Sequence, residues 1–169
     1  MNKKDIERFI EEMSGEKIYF DYFFEDETNQ YASVTAMARI FYTKNKTIIK
    51  LNSYWFDDNN RIVKRSKTPK EVETKVHLLH EIGHVKTSTY KISDYNRNQA
   101  MGEYLAHMWA IQKAKELKME EVKNRLEEII RRWERWDWNK DKHNRRYIKA
   151  SQIYRINKTL PYQIHCHPL

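Results

Sequence analysis

An H-E-x-x-H pentad, His80 to His84, constrains the fold of this chain more than any other feature of its sequence. Residues four apart on an α-helix lie on one face, so His80 and His84 can direct two imidazole nitrogens at a single tetrahedral metal ion. Glu81 then lies at the flank of that face, where its carboxylate can reach a water on the metal without becoming a ligand. The pentad therefore predicts a helix that carries a metal site, with Glu81 as general base.

The residues around the pentad are typical of a buried helix. Thr68, Pro69 and Glu71 match a capping box with proline at the first helical position. Apolar residues then recur at helical spacing and predict a core-facing stripe, formed by Val72, Val76, Leu79 and Ile82 or Gly83. His77 lies one turn before His80 on the metal-facing side, and we expect it behind the ligands or at the rim of the site, not among the ligands.

A catalytic zinc site usually has three protein ligands and a water, so the pentad needs a third side chain. The next helical run, about Asn96 to Lys118, offers Glu103. Its apolar stripe consists of Met101, Tyr104, Leu105, Met108 and Ile111, and beside that stripe Glu103 is followed by Ala106, Ala110 and Ala114. Small side chains there, together with Gly83, allow two helices to approach closely, although glycine costs about 1 kcal/mol in helix propensity. We expect Glu103 to complete the site.

His107 follows Glu103 by one helical turn on the same face. A histidine in this position can hydrogen-bond the Glu103 carboxylate and orient it for the metal. An ordinary exposed histidine is the alternative that the sequence leaves open.

The pentad followed by Glu103-x-x-Ala106-x-x-x-Ala110 resembles the gluzincin-type arrangement of the ImmA/IrrE and SprT-like metallopeptidases, which are often found in phages and mobile elements. The second-helix pattern of the ImmA/IrrE group resembles E-x-x-A-N-x-F-A; here Trp109 takes the aromatic place and His107 replaces the asparagine. The resemblance covers residues 68–115. It implies zinc peptidase activity on polypeptides, with His80, His84 and Glu103 as the Zn²⁺ ligands and Glu81 as the base.

The order of elements agrees with an α+β, zincin-like fold of the minimal gluzincin kind. A helix of about Asn2 to Met13 is predicted from the stripe Ile6, Phe9, Ile10 and Met13, with Gly15 as its stop. Three strands, rich in β-branched and aromatic residues, are predicted at 17–24, 33–42 and 47–56, in a sheet of three or more strands. The pentad helix, the glutamate helix and C-terminal helices follow. We expect one domain over residues 1–169, with 119–158 as a basic helical extension.

Charge is concentrated near the C-terminus of a chain whose formal net charge is +8. From Arg131 to Lys149, basic residues alternate with tryptophans, a composition that can contact phosphates and stack on unpaired bases, so DNA or a DNA-bound protein is a possible partner. The simpler interpretation is a helix that buries Val122, Leu126, Ile129, Ile130 and Trp133 and exposes its charges. We favour the packed helix.

The single cysteine, Cys166, cannot form an intramolecular disulfide, and His165 and His167 beside it form a tail that is more simply exposed than metal-binding. Residues 1–16 lack the apolar core of a signal peptide, and no apolar run approaches the length of a membrane span. We therefore expect a cytoplasmic protein, in the host cytoplasm if it is viral, without a membrane partner.

Two questions stay open at the level of the sequence. The donor that would stabilise an oxyanion is one of several chemically able residues, Tyr90, Tyr95, His143, Tyr147 and Tyr154, and no spacing rule selects among them. The alternative to an enzyme is a regulatory or nucleic-acid-associated protein that keeps the zincin fold but has little or no proteolytic turnover.

Overall fold

The computed structural model describes residues 1–15, 17–23, 37–42, 46–53, 55–56, 70–87, 95–133 and 145–158. Within these residues the chain is α+β, as predicted, with five helices and a three-stranded sheet. The elements in chain order are α1 (Lys3–Ser14), β1 (Tyr19–Phe23), β2 (Ala38–Tyr42), β3 (Thr47–Asn52), α2 (Lys70–Lys86), α3 (Tyr95–Glu116), α4 (Glu120–Arg132) and α5 (Arg145–Lys158).

Both ends of α1 are encoded by local sequence. The Asn2 side chain accepts a hydrogen bond from the Asp5 backbone N–H, and the Asp5 carboxylate accepts one from the Asn2 N–H, each at 3.0 Å. This reciprocal pair is a capping box. At the other end, Gly15 has φ 63° and its N–H donates to the Glu11 carbonyl oxygen. Ile6, Phe9 and Ile10 are buried, so the predicted helix and its apolar stripe are confirmed.

The sheet has the order β1-β3-β2, with β3 parallel to β1 and antiparallel to β2. The register aligns Phe20 with Ile49 and Leu51 with Ala38, and all four side chains are buried. The opposite face is more polar and carries a 2.9 Å ion pair between Lys50 and Asp21. One face of the sheet therefore belongs to the core, which it shares with α1 and α2.

The strands are shorter than predicted. β1 begins at Tyr19, and β2 lies inside the predicted range, of which 33–36 fall outside the described residues. The prediction that the third strand reaches Phe56 is wrong, because the backbone N–H groups of Trp55 and Phe56 both donate to the Asn52 carbonyl oxygen and close a turn. Phe56 is nevertheless fully buried, so it contributes to the core from that turn.

Helix α2 is central to the fold and packs against α1, β2, α3 and α4. The predicted stripe of Val72, Val76, Leu79, Ile82 and Gly83 is buried. Leu78 and Val85, on other sides of the helix, are buried as well, as expected for a helix surrounded by other elements. Thr68 and Pro69, the predicted cap, lie outside the described residues.

Helix α3 ends two residues before the predicted Lys118. The Met119 N–H donates to the Ala114 carbonyl oxygen and the Lys118 N–H to that of Lys115, which is the Schellman pattern. Lys118 itself has φ 55°, the left-handed conformation usually taken by glycine at this place. Because the chain reverses there, α4 follows α3 at once and packs back on it.

The C-terminal helices belong to the packed structure. Val122, Leu126, Ile130 and Trp133 are buried and Ile129 is partly buried, which confirms the predicted core face of α4. Helix α5 packs against both α3 and α4. Among the described residues, no helix is both long enough and apolar enough to cross a membrane.

Candidate metal centre

The site forms where α2 and α3 are in close contact. A Cβ atom on Gly83 would lie 2.9 Å from the Ala106 carbonyl carbon and 3.0 Å from its Cα, and nearer still to the carbonyl oxygen. Ala106, Ala110 and Ala114 are fully buried. The predicted close approach of the two helices is therefore confirmed at Gly83 and Ala106, and it brings Glu103 next to the pentad.

His80, His84 and Glu103 are brought together. Glu103 Oε2 lies 3.1 Å from His80 Nε2 and 3.5 Å from His84 Nε2, and one ligand atom from each of the three residues lies within 4.8 Å of the others. Two ligands of a tetrahedral zinc ion, each about 2.0–2.1 Å from the metal, are about 3.4 Å apart. The two distances from Glu103 lie on either side of that value, so each carboxylate–imidazole pair is spaced for a metal of this size.

The three side chains are shielded but reachable, with exposed fractions of 13% for His80, 19% for His84 and 9% for Glu103. Burial by itself raises the pKa of Glu103, but the hydrogen bonds and positive charge of His80 and His84 outweigh it and hold that pKa well below its usual range. The carboxylate is therefore ionised, which is the form that a metal needs.

His107 lies directly behind the triad, where it contacts His80 of the triad. It is 1% exposed, so the alternative of an ordinary exposed histidine is wrong, and both of its ring nitrogens contact groups other than Glu103. Its Nε2 lies 2.7 Å from the Leu126 carbonyl oxygen, and its Nδ1 lies 3.2 Å from Nδ1 of His80. Burial, followed by the charge of His80, lowers the pKa of His107 to about 3, so the ring is neutral at pH 7.

These contacts form a chain, from Leu126 through His107 and His80 to Glu103. A carbonyl oxygen and an ionised carboxylate at its two ends can only accept hydrogen bonds. The chain therefore needs three hydrogens: one from His107 to Leu126, one between the two Nδ1 atoms, and one from His80 Nε2 to Glu103. Two neutral imidazoles carry only two. The arrangement requires one additional positive charge between His80 and Glu103, which either a proton or a metal cation can supply.

His77 points to a separate cluster on α2. Its Nε2 lies 3.8 Å from Glu73 Oε2, and its ring packs edge-on against Phe56 at 6.5 Å between centroids. The Glu73 side chain is 2% exposed and is paired with Arg125 of α4 at 2.7 Å. Burial lowers the pKa of His77 to about 4, against the opposing effect of Glu73. Its place is thus one turn behind the triad, and it is not one of the three residues that converge.

Glu81 lies between the two histidines on α2 and is partly exposed. Among the residues considered as oxyanion donors, Tyr154 is buried in α5. Tyr90 and His143 lie outside the described residues, as do the side chains of Tyr95 and Tyr147. The tail with His165, Cys166 and His167 lies outside them too.

The part of the basic C-terminal stretch that lies at the end of α4, residues 131–133, is packed or paired. Trp133 is buried and its ring lies 4.8 Å from that of His107. Arg131 forms a 2.8 Å ion pair with Glu127, and Arg132 pairs with Glu128. Residues 134–144, the centre of the predicted nucleic-acid segment, lie outside the described residues. Residues 131–133 thus agree with a packed helix that exposes paired charges.

Two neighbouring residues of α4 that the sequence analysis did not assign to the site, Arg125 and Leu126, contact residues beside it. Leu126 receives the His107 hydrogen bond through its backbone carbonyl, and Arg125 pairs with Glu73. A backbone carbonyl has no signature in the sequence. The charged pair joins residues far apart in the chain, so only the packing of α4 on α2 brings them into contact.

Comparison of the chain with protein-family models, with curated proteins and with solved structures finds no match.

Proposed function

We propose that this protein is a zinc-dependent metallopeptidase with a zincin-like fold of the ImmA/IrrE and SprT-like kind. One observation carries the proposal: His80, His84 and Glu103, from two helices, bring their ligand atoms within 4.8 Å of one another. The pattern of residues that suggested these families in the sequence thus corresponds to a cluster in space. If the pentad were simply a solvated helix face, its two histidines would not be expected to surround an ionised, buried carboxylate.

The donor set favours zinc among the common metals. Two imidazole nitrogens and one carboxylate oxygen are ligands that zinc accepts in tetrahedral sites, whereas calcium and magnesium prefer oxygen ligands alone. Zinc held by His80, His84 and Glu103 would supply a Lewis acid that lowers the pKa of a bound water to near 7. The same ion would supply the additional positive charge required between His80 and Glu103.

Glu81 would act as the base. It follows His80 directly and precedes His84 by three residues, so its carboxylate lies at the flank of the ligand face. In the proposed reaction Glu81 accepts a proton from the attacking water and returns it to the leaving amine. The peptide C–N bond breaks, and the new C–O bond yields a carboxylic acid and an amine.

A polypeptide substrate is favoured by the position of β2. Among the described strands, β2 lies at an edge of the sheet, and it packs against α2. An extended peptide can pair with such an edge through main-chain hydrogen bonds. Because β2 packs against the helix that carries the pentad, a peptide paired with β2 would bind beside that helix.

The first test is metal content. Purified protein should contain one zinc per chain by elemental analysis, and His84→Ala and Glu103→Ala should each lose most of it, because each removes one of three ligands. His77→Ala is the matched control, since it removes a histidine from the same helix without touching the triad. Equal zinc content in the parent, His84→Ala and Glu103→Ala would exclude this metal site.

The second test is the base. Glu81→Gln keeps the shape of the side chain and removes its basicity, so it should retain zinc and the fold but lose nearly all hydrolysis of a denatured protein substrate. A Glu81→Gln variant as fast as the parent would exclude Glu81 as base. Stoichiometric zinc without any cleavage by the parent would instead favour the regulatory alternative.

A further inference from the structure

His107 is the most deeply buried polar side chain beside the triad that the proposed reaction does not use. It is 1% exposed, and its ring lies between His80, at 5.3 Å between centroids, and Trp133, at 4.8 Å. Its two nitrogens have unlike partners, a backbone carbonyl on one side and another imidazole on the other. This asymmetry determines where the hydrogens lie.

The Leu126 carbonyl oxygen can only accept, so His107 Nε2 must donate to it across 2.7 Å. A neutral imidazole has one N–H, and His107 Nδ1 therefore presents a lone pair to His80 Nδ1 at 3.2 Å. His80 Nδ1 must then carry the hydrogen of that contact. When a metal cation and not a proton lies between His80 and Glu103, the other nitrogen, Nε2, then presents a lone pair on the side where Glu103 and His84 lie.

From this we infer that His107 is a positioning residue for the metal: held by the Leu126 carbonyl, it selects the His80 tautomer whose Nε2 can bind the ion. The inference rests on the proposed function in one respect, because it requires His80 to be a ligand. It adds a contribution from α4, which provides no ligand to the triad but supplies the carbonyl that sets the tautomer.

The position of that carbonyl is itself fixed by a neighbouring contact. Arg125, the residue before Leu126, is paired with the buried Glu73 of α2 through two nitrogens, each 2.7 Å from Glu73 Oε1. Helix α4 is thus attached directly to the pentad helix at the residue next to Leu126. The distance between the Leu126 oxygen and the pentad cannot change much without breaking that pair.

Two substitutions separate the two hydrogen bonds of His107. In His107→Asn the side-chain oxygen takes approximately the place of Nδ1 and can accept from His80, but the bond to Leu126 is lost. In His107→Gln the side-chain amide takes approximately the place of Nε2 and can donate to Leu126, but no acceptor faces His80. Each variant therefore keeps one contact and removes the other.

The measurements are zinc affinity by competition with a chromogenic chelator and, on the metal-free protein, the urea midpoint of unfolding. We expect His107→Gln to bind zinc about 10–100-fold more weakly than the parent and His107→Asn to stay within a few-fold of it, as for other groups that orient metal ligands. Stability should follow the opposite order, because His107→Asn gives up the 2.7 Å hydrogen bond that joins α3 to the Leu126 carbonyl oxygen of α4, whereas His107→Gln keeps it. A purely structural role predicts that affinity follows stability, and that result would overturn the inference.

The parent protein provides a test that does not depend on whether the variants fold. In the zinc-loaded protein, long-range ¹H–¹⁵N spectra should identify His107 as the Nε2–H tautomer and His80 as bound through Nε2. An Nδ1–H tautomer of His107 would overturn the inference while leaving the metal site intact. Absence of zinc binding by the parent would contradict the proposed function instead, so the two failures are distinguishable.

Discussion

Gly83→Ala tests whether the close approach of α2 and α3 assembles the site. In an isolated helix this change would be favourable by about 1 kcal/mol, because alanine has the higher helix propensity. Here the added methyl group would meet the backbone of Ala106, with the carbonyl carbon at 2.9 Å. Ordinary contact begins at 3.4 Å, so the helices must separate locally by about 0.5 Å or more. Backbone atoms within a helix cannot move aside as a flexible side chain would.

Overpacking of this kind costs typically about 1–3 kcal/mol, and it outweighs the gain in propensity when the obstructing atoms belong to a backbone. We expect a net loss of about 1–2 kcal/mol in the free energy of unfolding. The shift also exceeds the tolerance of metal–ligand distances, about 0.2 Å, and it acts between the helix that carries His80 and the one that carries Glu103. Zinc affinity should therefore fall by about tenfold or more.

Urea unfolding of the metal-free protein and chelator competition measure the two effects separately. Gly15→Ala is the control: among the described residues, chain neighbours aside, no atom lies within 4 Å of its added Cβ, but φ is 63°, and the left-handed conformation costs alanine about 1–2 kcal/mol. That variant should lose similar stability and keep the zinc affinity of the parent. If Gly83→Ala is as stable as the parent and binds zinc equally well, the close contact of α2 and α3 does not determine the site.

Two further predictions concern the cluster behind the triad. Arg125→Met should lower the free energy of unfolding at pH 7 by about 3 kcal/mol, because it removes the guanidinium partner of the 2% exposed Glu73 side chain. The control is Arg131→Met, at an exposed pair, which should cost under about 1 kcal/mol. Similar losses in the two variants would contradict this assignment. Because burial lowers the pKa of His77 from 6.5 to about 4, the folded state binds fewer protons than the unfolded state and stability falls as pH decreases through this range. Because 23% of the His77 side chain is exposed, we expect the free energy of unfolding to fall by only about 1 kcal/mol between pH 7 and pH 5, measured by urea unfolding of the metal-free protein. His77→Gln should not show this fall. Equal pH dependence in the two proteins would refute His77 as its cause.

Local sequence was sufficient for features that depend on neighbouring residues. Helix α1 begins at Asn2 and ends at Gly15 because a side-chain cap and a left-handed glycine act within one turn. The pentad predicted two histidines on one face of a helix, and the small residues after Glu103 predicted a close helix pair, since periodicity alone determines which side chains share a face. These inferences selected all three residues of the candidate metal centre.

Local sequence was insufficient where a contact joins distant parts of the chain. The third strand was predicted to continue to Phe56, since β propensity does not reveal that the Asn52 carbonyl closes a turn. The end of α3 is not recognisable from the sequence, because Lys118 takes the left-handed conformation in which a glycine would have marked the end of the helix. For His107 the sequence leaves open a bond to Glu103 on its own helix or simple exposure, whereas the residue contacts His80 and Leu126 on two other helices.

His107 illustrates the difference between what the sequence determines and what the tertiary structure determines. The sequence by itself determined which residue types occupy the faces of α2 and α3, because helical spacing is a local property. Only the tertiary structure decided which nitrogen of His80 faces Glu103, because that depends on a backbone carbonyl of α4 that any residue could supply. A tautomer is set by the partner at the other end of a hydrogen bond, and that partner is chosen by packing.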